Sequence, residues 1–474
     1  MSAYETNQKK QGNIILSEVQ SICPVCNKVI KARYVDREGK VFLEKECGDH
    51  GSFAALVSGS TEDYLKWVDH PVVNIPPRYA VTKGSDESRC PLDCGTCENH
   101  MQTACCVLID VTERCNQHCP FCFARASEND FSGYEPTLEE LEEKFDLLLE
   151  LGEKERPFNI QLSGGEPTVR EDFPQIIRMA KDKGFEYIQI NTNGRRIARE
   201  EGYAKILRDA GASVIFMQFD GTNDEIYMQM RGEPLFEEKK RAILNCQKAG
   251  IAVTLVPTVA KNINLGNMGE MMDFLLENIA VVKGIHFQPV SFFGRHPDPA
   301  HENRVTMFDV LRELERQTNH FKYEDFCPIS TGHTLCCFYS TYIREPDESI
   351  RCTLSKAQKD FGVSCCDASG QRKLSDEVDI VKRDRDYVLN KWEIVSPDEA
   401  ESSYDAGKYS SSEEIVSLDE FLTYYRRNIF TVTGMAFQDI SNLDAERLKR
   451  CRVQVLSPDN RLIPFCGYNS IYRD

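Results

Sequence analysis

The sequence has no excess of positive charge and no long apolar run. Its 57 lysine and arginine residues face 75 aspartate and glutamate residues, giving a formal net charge of −18 at pH 7. Non-specific binding to nucleic acid and docking of a polybasic patch on anionic lipid both require the opposite balance. No apolar stretch approaches the roughly 18–20 residues of a membrane-spanning helix. We therefore expect no nucleic-acid partner and no transmembrane segment.

The chain also lacks a recognisable export signal, because residues 1–5 do not show the charged and then apolar layout of a signal peptide. This predicts a cytoplasmic protein, with peripheral contact to a membrane left open. Disulfides are rare in a reducing compartment, so the twenty cysteines of this chain need another explanation there. Eight of them lie between Cys90 and Cys122 and eight lie after residue 320. This uneven distribution favours metal sites.

Three cysteines form the motif around which the chain is organised. Cys115, Cys119 and Cys122 follow the apolar run 107–111, which predicts a buried strand. Their Cys-x-x-x-Cys-x-x-Cys spacing puts three soft thiolates on one loop, and such ligands select iron–sulfur clusters or zinc. Both groups normally take four ligands, so a four-iron cluster here would keep one iron open. A zinc knuckle is the alternative for the three cysteines taken alone.

Two further features carry a resemblance to a known family. Phe121 precedes the last cysteine, and Leu162-Ser163-Gly164-Gly165-Glu166-Pro167 ends the next predicted strand. With these motifs the sequence resembles the radical S-adenosylmethionine (SAM) superfamily. The resemblance implies a 4Fe–4S cluster on the three cysteines, whose open iron chelates SAM, with the Gly-Gly-Glu-Pro segment at the SAM amino group. It also implies cleavage of SAM to a 5′-deoxyadenosyl radical that abstracts hydrogen from an unactivated carbon.

The same resemblance implies further SAM contacts at the ends of the later strands. Arg231 is expected to pair with the SAM carboxylate. The resemblance identifies no catalytic side chain. Gln288 and the pair Arg295 and His296 face either substrate or solvent. The remaining expected contacts are Asn191, Thr192, Asn193, Gln218, Asp220 and Val259.

Strand-like and helix-like segments alternate between residues 105 and 295. Such alternation predicts an α/β fold with a parallel sheet and right-handed crossovers. Periodicity alone also allows a doubly wound sheet, whereas the resemblance implies a partial, six-unit parallel β/α barrel. Strands are predicted at 107–112, 158–163, 186–191, 214–219, 252–258 and 284–289, and helices at 137–151, 172–183, 197–210, 236–249 and 267–279.

Two lobes are expected around this barrel. Residues 1–100 predict a small metal-binding ribbon lobe, in which Cys23 and Cys26 precede a hairpin and Cys47 and His50 follow it. A thiolate-rich tetrahedral site accepts zinc or rubredoxin-like iron, and the sequence leaves the choice open. Residues 300–474 predict a cysteine-rich α+β lobe with a flexible segment at 370–415.

The remaining cysteines predict auxiliary metal sites. Cys90, Cys94 and Cys97 repeat the three-cysteine spacing, but without an aromatic residue at 96 or a preceding strand. These three cysteines either form a separate site or supply extra ligands to the ribbon. In the second alternative, Cys94 and Cys97 join Cys23 and Cys26. Six thiols between residues 327 and 366 predict an auxiliary 4Fe–4S cluster, with buried or paired thiols as the alternative. The candidate ligands are Cys327, Cys336, Cys352 and Cys366, with Cys451 or Cys466 from far along the chain.

Over its whole length the chain resembles the tetraether-lipid-synthase-like branch of the superfamily, through the segments at Cys23, Cys90 and 463–466. The branch implies auxiliary clusters, an electron donor such as ferredoxin or flavodoxin, and carbon–carbon bond formation on lipid chains. Lipid coupling predicts a long apolar groove between the barrel mouth and the C-terminal lobe. Two alternatives stay open: an enzyme that modifies a peptide or protein in a shallow groove, and a non-enzymatic iron–sulfur electron carrier. The expected substrate is a small molecule or a lipid, and a shallow, open groove would instead indicate a peptide.

Overall fold

The computed structural model describes residues 14–77, 89–95, 97–126, 133–152, 158–297, 303–361 and 424–473. The flexible segment predicted at 370–415 and the candidate ligand Cys366 lie outside these ranges. None of the helices within them is both long and apolar enough to cross a bilayer.

The N-terminal lobe is an antiparallel four-stranded sheet. Its strands are β1 (Ile14–Ile22), β2 (Val29–Arg37), β3 (Lys40–Cys47) and β4 (Gly51–Ser58), in that spatial order. Helix α1 (Thr61–Val68) follows, and the hydroxyl of Ser60 caps it by accepting from the backbone N–H of Asp63. Tyr64 and Trp67 of α1 are buried in the same core as Tyr34 and Leu43 of the sheet.

The predicted parallel sheet is confirmed. The strands β5, β6, β7, β8, β9 and β11 lie side by side in the order β11-β9-β8-β7-β6-β5, and every neighbouring pair is parallel. The elements of this region are β5 (Cys106–Thr112), α2 (Leu138–Leu151), β6 (Asn159–Gly164), α3 (Phe173–Lys183), β7 (Ile188–Thr192), α4 (Arg195–Arg199), α5 (Tyr203–Ala210), β8 (Val214–Gln218), α6 (Asp224–Arg231), α7 (Phe236–Ala249), β9 (Ala252–Val256), β10 (Thr258–Val259), α8 (Met268–Glu277) and β11 (Val282–Pro289).

Two helices differ from the sequence prediction. The helix expected at 197–210 is divided into α4 and α5, because Gly202 adopts a left-handed φ of +82° between them. Helix α6 was not predicted, although Asn223 caps it by accepting from the N–H of Ile226. It matters for the site because it carries Arg231.

The C-terminal strands extend the same sheet at both edges. Strand β15 pairs with β11 and β16 pairs with β5, and both pairs are parallel. Strands β16 and β17 form an antiparallel hairpin at the outer edge. The elements are α9 (Met307–Gln317), β12 (Cys327–Pro328), β13 (Cys337–Arg344), β14 (Ile350–Cys352), α10 (Lys356–Phe361), β15 (Ile429–Met435), α11 (Ala445–Lys449), β16 (Val453–Leu456) and β17 (Leu462–Pro464).

The resulting 13-stranded sheet is curved but not closed. Its strand order begins at β12 and ends at β17, and these two end strands do not pair. Met435 of β15 and Val453 of β16 nevertheless line one cavity together with Phe216 of β8, so the sheet curls around that cavity. The fold is therefore a partial parallel β/α barrel with an N-terminal ribbon, as predicted.

We predict that Gly434→Ala destabilises the junction between the parallel barrel strands and β13. A Cβ atom at Gly434 would lie 2.3 Å from Cζ of Phe338 and 2.9 Å from the carbonyl oxygen of Phe287. Overpacking of this kind costs about 1–3 kcal/mol of the free energy of unfolding. Urea denaturation of anaerobic protein measures this loss. Gly266→Ala is the matched control, because a Cβ there meets nothing within 4 Å; equal midpoints for the two variants would contradict the prediction.

Candidate active site and metal centres

The loop that carries Cys115, Cys119 and Cys122 is held against the end of β6. The backbone N–H of Gly165 donates to the carbonyl of Thr112 at 2.8 Å, and that of Glu166 donates to the carbonyl of Arg114 at 2.8 Å. A Cβ atom at Gly165 would lie 2.2 Å from the carbonyl oxygen of Arg114. Only glycine permits this approach, which explains the first half of the Gly-Gly-Glu-Pro motif.

The other side of the loop is held by the segment after β11. Cys122 and Arg295 exchange two backbone hydrogen bonds of 2.9 and 2.8 Å, and the Arg295 side chain donates from Nη1 to the carbonyl of Cys119 at 2.9 Å. Gly294 has a left-handed φ of +70°, and a Cβ there would lie 2.3 Å from the Cys122 carbonyl oxygen. The cysteine loop is thus fixed between two strands of the barrel.

Glu166 is almost fully buried and connects the ends of β6 and β7. Its Oε1 accepts from the N–H of Thr168 at 3.1 Å and from the hydroxyls of Thr168 and Thr192 at 2.6 and 2.7 Å. Its Oε2 accepts from the N–H of Asn193 at 2.6 Å. An ionised carboxylate accepts about four hydrogen bonds. A donor from SAM would therefore join or displace an existing partner.

Arg231 forms a buried pair with Asp220. Its Nε and Nη2 donate to the two carboxylate oxygens at 2.7 Å each, and Nη1 donates to the carbonyl of Phe121 at 2.8 Å. Nη2 also donates to the hydroxyl of Thr258 at 3.1 Å. Arg231 therefore holds the cysteine loop through Phe121, a contact that differs from the expected one with the SAM carboxylate.

A cavity of about 330 Å³ opens at the C-terminal ends of the parallel strands. Three predicted contacts do not line it: Asp220 lies behind Arg231, Val259 is in the core, and Pro167 begins a short helix. The predicted residues that line the cavity are Cys115, Cys119, Phe121, Cys122, Ser163, Gly164, Gly165, Glu166, Asn191, Thr192, Asn193, Gln218, Gln288, Arg231, Arg295 and His296.

The cavity wall beside Cys119 contains an unsatisfied donor. Nε2 of Gln117 is buried and has no hydrogen-bond partner among the residues that the structure describes, while its Oε1 lies 3.8 Å from Sγ of Cys119. A buried donor left unsatisfied costs roughly 1–3 kcal/mol. Its position beside the thiol is suited to an acceptor held by the cysteines, such as a cluster sulfide. The three thiols and this amide therefore fit an iron–sulfur cluster.

The concave face of the sheet adds residues that the sequence analysis missed. Gln161, Phe216 and His286 line the same cavity as the cysteines. Burial lowers the pKa of His286 to about 4, so its ring is neutral at physiological pH. The missed signal is alternation: polar residues occupy alternate positions along β6 and β7 and in the second half of β11, whereas strands buried on both faces are usually apolar throughout.

The ribbon holds a compact four-ligand site. The Sγ atoms of Cys23, Cys26 and Cys47 and a ring nitrogen of His50 all lie within 4.8 Å of one another. The Cys26 and Cys47 sulfurs are 3.9 Å apart, and Nδ1 of His50 lies 3.7 and 3.5 Å from the Cys23 and Cys47 sulfurs. Tetrahedral zinc would separate its ligands by about 3.7 Å for two sulfurs and about 3.6 Å for sulfur and nitrogen. The geometry thus favours Cys47 and His50 over the alternative in which Cys94 and Cys97 complete the site.

The other cysteines form separate groups. Cys90, Cys94 and Cys97 line one small pocket, and burial followed by the charges of Cys90 and Cys97 raises the pKa of Cys94. Cys327 and Cys352 pack in one cluster that Cys336 also contacts. The thiol of Cys327 lies 3.8 Å from the carbonyl of Tyr339, and that of Cys352 lies 3.6 Å from the hydroxyl of Ser340.

Cys336, Cys451 and Cys466 come together from distant parts of the chain. Burial and then the thiols of Cys466 and Cys336 raise the pKa of Cys451. Burial, with Cys336 as a neighbour, raises the pKa of Cys466 to about 12, although the N–H of Gln438 donates to its sulfur at 3.2 Å.

Comparison with known proteins agrees with this arrangement. Residues 109–275 match the radical SAM superfamily, and residues 15–59 match the HMPTM N-terminal zinc ribbon domain. The chain is 33% identical over 484 aligned residues to the 7,8-dihydro-6-hydroxymethylpterin dimethyltransferase of Methanocaldococcus jannaschii, covering 96% of this chain and 93% of that protein. It is 34% identical over 219 residues to the Fe-coproporphyrin III synthase of Methanosarcina barkeri, covering 44% of this chain and 51% of that protein. Among solved structures, Streptococcus suis SuiB aligns over 46% of each chain at 15% identity with a TM-score of 0.38.

A parallel β/α barrel with three cysteines at the mouth of its cavity defines the class of protein. The chain belongs to the radical SAM superfamily, in a family that joins this domain to an N-terminal zinc ribbon. Membership implies a 4Fe–4S cluster and SAM, and the prediction that the protein is an enzyme is confirmed.

We predict that Gly165→Ala displaces the cysteine loop. The added Cβ would collide with the Arg114 carbonyl, so the three thiols would lose their common geometry. The expected result is loss of most of the SAM-dependent change in the electron paramagnetic resonance spectrum of the reduced protein. Gly332→Ala, where a Cβ meets nothing within 4 Å, serves as control. A normal SAM-dependent spectrum in Gly165→Ala would refute this account of the loop.

We also predict that His50→Ala removes the metal from the ribbon. Three ligands would remain, so zinc affinity should fall by more than the roughly 10–100-fold caused by changes outside the coordination shell. Competition with a chromogenic chelator measures this affinity. His320→Ala, at an exposed position, is the matched control. Zinc retention equal to that of the control would argue against His50 as a ligand.

Proposed function

We propose that the protein is a radical SAM methyltransferase that acts on a reduced pterin. The observation that carries this proposal is the similarity to 7,8-dihydro-6-hydroxymethylpterin dimethyltransferase over nearly the full length of both chains. Similarity confined to the barrel would say little about substrate, because one fold serves many reactions. The similarity between these two chains also includes the ribbon and the C-terminal strands that contribute to the cavity wall.

The cofactor sites follow from the geometry at the cavity mouth. Cys115, Cys119 and Cys122 would hold the 4Fe–4S cluster, and the polar rim from Ser163 to Glu166 and from Asn191 to Asn193 would contact SAM. When bound, these groups supply a one-electron cleavage of the sulfonium that yields a radical able to abstract hydrogen from carbon. A donor such as ferredoxin or flavodoxin would provide the electron.

Four phenylalanine rings form an aromatic wall of the same cavity, two of them from the C-terminal region. The rings of Phe437 and Phe465 lie 4.5 Å apart, and Phe123 and Phe293 contact Phe465 with centroid distances of 5.7 and 6.2 Å. This wall excludes water from the reacting atoms and offers flat surfaces to a bicyclic ring. The substrate would thus lie between this aromatic wall and the polar side chains of the same cavity.

Carbon–carbon coupling of lipid chains stays a prediction. The aromatic wall would suit a lipid tail, but the carboxamide of Gln288, which has no hydrogen-bond partner among the described residues, would lack polar partners beside one. A pterin supplies those partners through its ring nitrogens and carbonyl. This difference favours the pterin as the small-molecule substrate.

We further propose an auxiliary 4Fe–4S cluster bound by Cys336, Cys451 and Cys466. The proximity of these three thiols and the N–H that donates to Cys466 support it, since iron–sulfur clusters are held by thiolates that accept such hydrogen bonds. The group formed by Cys90, Cys94 and Cys97 is the second candidate. Cys327 and Cys352 remain predicted ligands with local hydrogen-bond partners of their own.

The decisive assay combines anaerobically reconstituted protein, SAM, dithionite and 6-hydroxymethyl-7,8-dihydropterin. We expect 5′-deoxyadenosine and a pterin that has gained one or two methyl groups, both detected by mass spectrometry. SAM is the methyl donor in this assay, so S-adenosylhomocysteine should form with each methyl group transferred. The variant with Cys115, Cys119 and Cys122 all replaced by Ala should produce none of these products. Formation of 5′-deoxyadenosine with the pterin unchanged would contradict the substrate, and no 5′-deoxyadenosine under any condition would contradict the reaction class.

A further inference from the structure

The floor of the cavity is chemically distinct from its rim. Gln161, Asn191, Phe216, His286 and Gln288 line it from the concave face of the sheet. Residues that alternate with them, such as Ile160 and Ile190, are apolar and fully buried against the helices. Polar groups enclosed in a protein require hydrogen-bond partners. A polar floor within a fold that otherwise buries apolar side chains therefore indicates a polar ligand.

His286 presents a defined hydrogen-bond acceptor to this floor. Its Nδ1 lies 2.8 Å from the hydroxyl of Thr433, which in turn donates to the carbonyl of Ile285 at 3.3 Å. Because a hydroxyl has a single hydrogen, Thr433 accepts from the Nδ1–H of His286. The ring is neutral, since burial lowers the pKa of His286 to about 4. Its Nε2 is consequently unprotonated and available as an acceptor.

Gln288 lies two residues further along β11, on the same face as His286. Within the described part of the chain its carboxamide has no hydrogen-bond partner, so both its oxygen and its nitrogen are available to a ligand. The neighbouring amides are not free in this way. Gln189 donates to Oδ1 of Asn191 at 2.8 Å, and Asn191 donates to Oε1 of Gln161 at 3.2 Å.

We propose that His286 and Gln288 recognise the aminopyrimidinone edge of the substrate. Nε2 of His286 accepts one N–H of that edge, and the carboxamide of Gln288 pairs with the adjacent carbonyl and N–H. Phe216, whose ring centroid lies 5.6 Å from that of His286, provides a flat surface beside the bound ring. The inference rests on the proposed function, because a reduced pterin carries this edge. Guanine nucleotides carry it too, so the test must separate the two sources.

The test is equilibrium binding of 6-hydroxymethyl-7,8-dihydropterin to anaerobically reconstituted protein with SAM present and no reductant, followed by pterin fluorescence. His286→Leu and Gln288→Leu should each weaken binding by roughly ten- to hundredfold, because a polar edge of the ligand is left unpaired. SAM affinity should not change. The matched controls are His320→Leu and Gln247→Leu, the same substitutions at exposed helical or loop positions, which should bind like the wild type.

The measured affinities separate the edge assignment from the proposed substrate. Equal pterin affinity in wild type and both Leu variants would overturn the assignment while leaving the proposed function intact. If GTP binds more tightly than the pterin and loses affinity in the same two variants, the edge assignment holds and the proposed substrate fails. If the wild type binds neither ligand, both fail. Should His286→Leu lose SAM binding through misfolding, Gln288→Leu decides, because its side chain has no described polar contact to lose.

Discussion

The close backbone contact between the cysteine loop and the end of β6 is the constraint on which the site depends. Two glycines allow the chain at 164 and 165 to lie against the carbonyls of Thr112 and Arg114, at distances that no side chain would permit. A second contact, between Cys122 and Arg295, closes the loop from the opposite side. Contacts within the protein thereby fix three thiols over a cavity, which is the preorganisation that positioned radical chemistry requires.

Buried charged side chains connect the cysteine loop to the neighbouring strand ends. Glu166 ties β6 to β7, and the pair of Asp220 and Arg231 ties β8 and α6 to the loop. Burial lowers the pKa of Lys239 to about 8, and this lysine donates to the side chain of Gln218 at 3.1 Å. Desolvated groups of this kind are costly when one partner is lost, roughly 3–5 kcal/mol for a buried ion pair. The rim is therefore held together by hydrogen bonds and ion pairs within the protein.

The ribbon bears on the shape of the cavity, because Ile22 packs in one hydrophobic cluster with Phe293 and Phe465 of its lining. It docks on the segment before β16, where Tyr34 donates to Asp444 at 2.7 Å and Ser21 donates to the carbonyl of Leu443 at 2.6 Å. Lys45 donates to the carbonyl of Ile440 at 2.7 Å. The same segment leads to β16 and to Phe465 of the aromatic wall. A metal that stabilises the ribbon thus stabilises the surface against which this wall is built.

Local spacing in the sequence predicted the cysteine loop, the Gly-Gly-Glu-Pro segment and the six parallel strands. It also gave four candidate ligands for the ribbon, but it left Cys94 and Cys97 as alternatives to Cys47 and His50. Each of these predictions depends on residues only a few positions apart, or on a periodicity that secondary structure imposes directly. The tertiary structure alone decided the partners of Arg231, the grouping of Cys336 with Cys451 and Cys466, and the placement of β15 and β16 at opposite edges of the barrel sheet. It also decided that His286 and Gln288 face the cavity. These features depend on which strands pair across long stretches of chain, and local periodicity carries no information about that pairing.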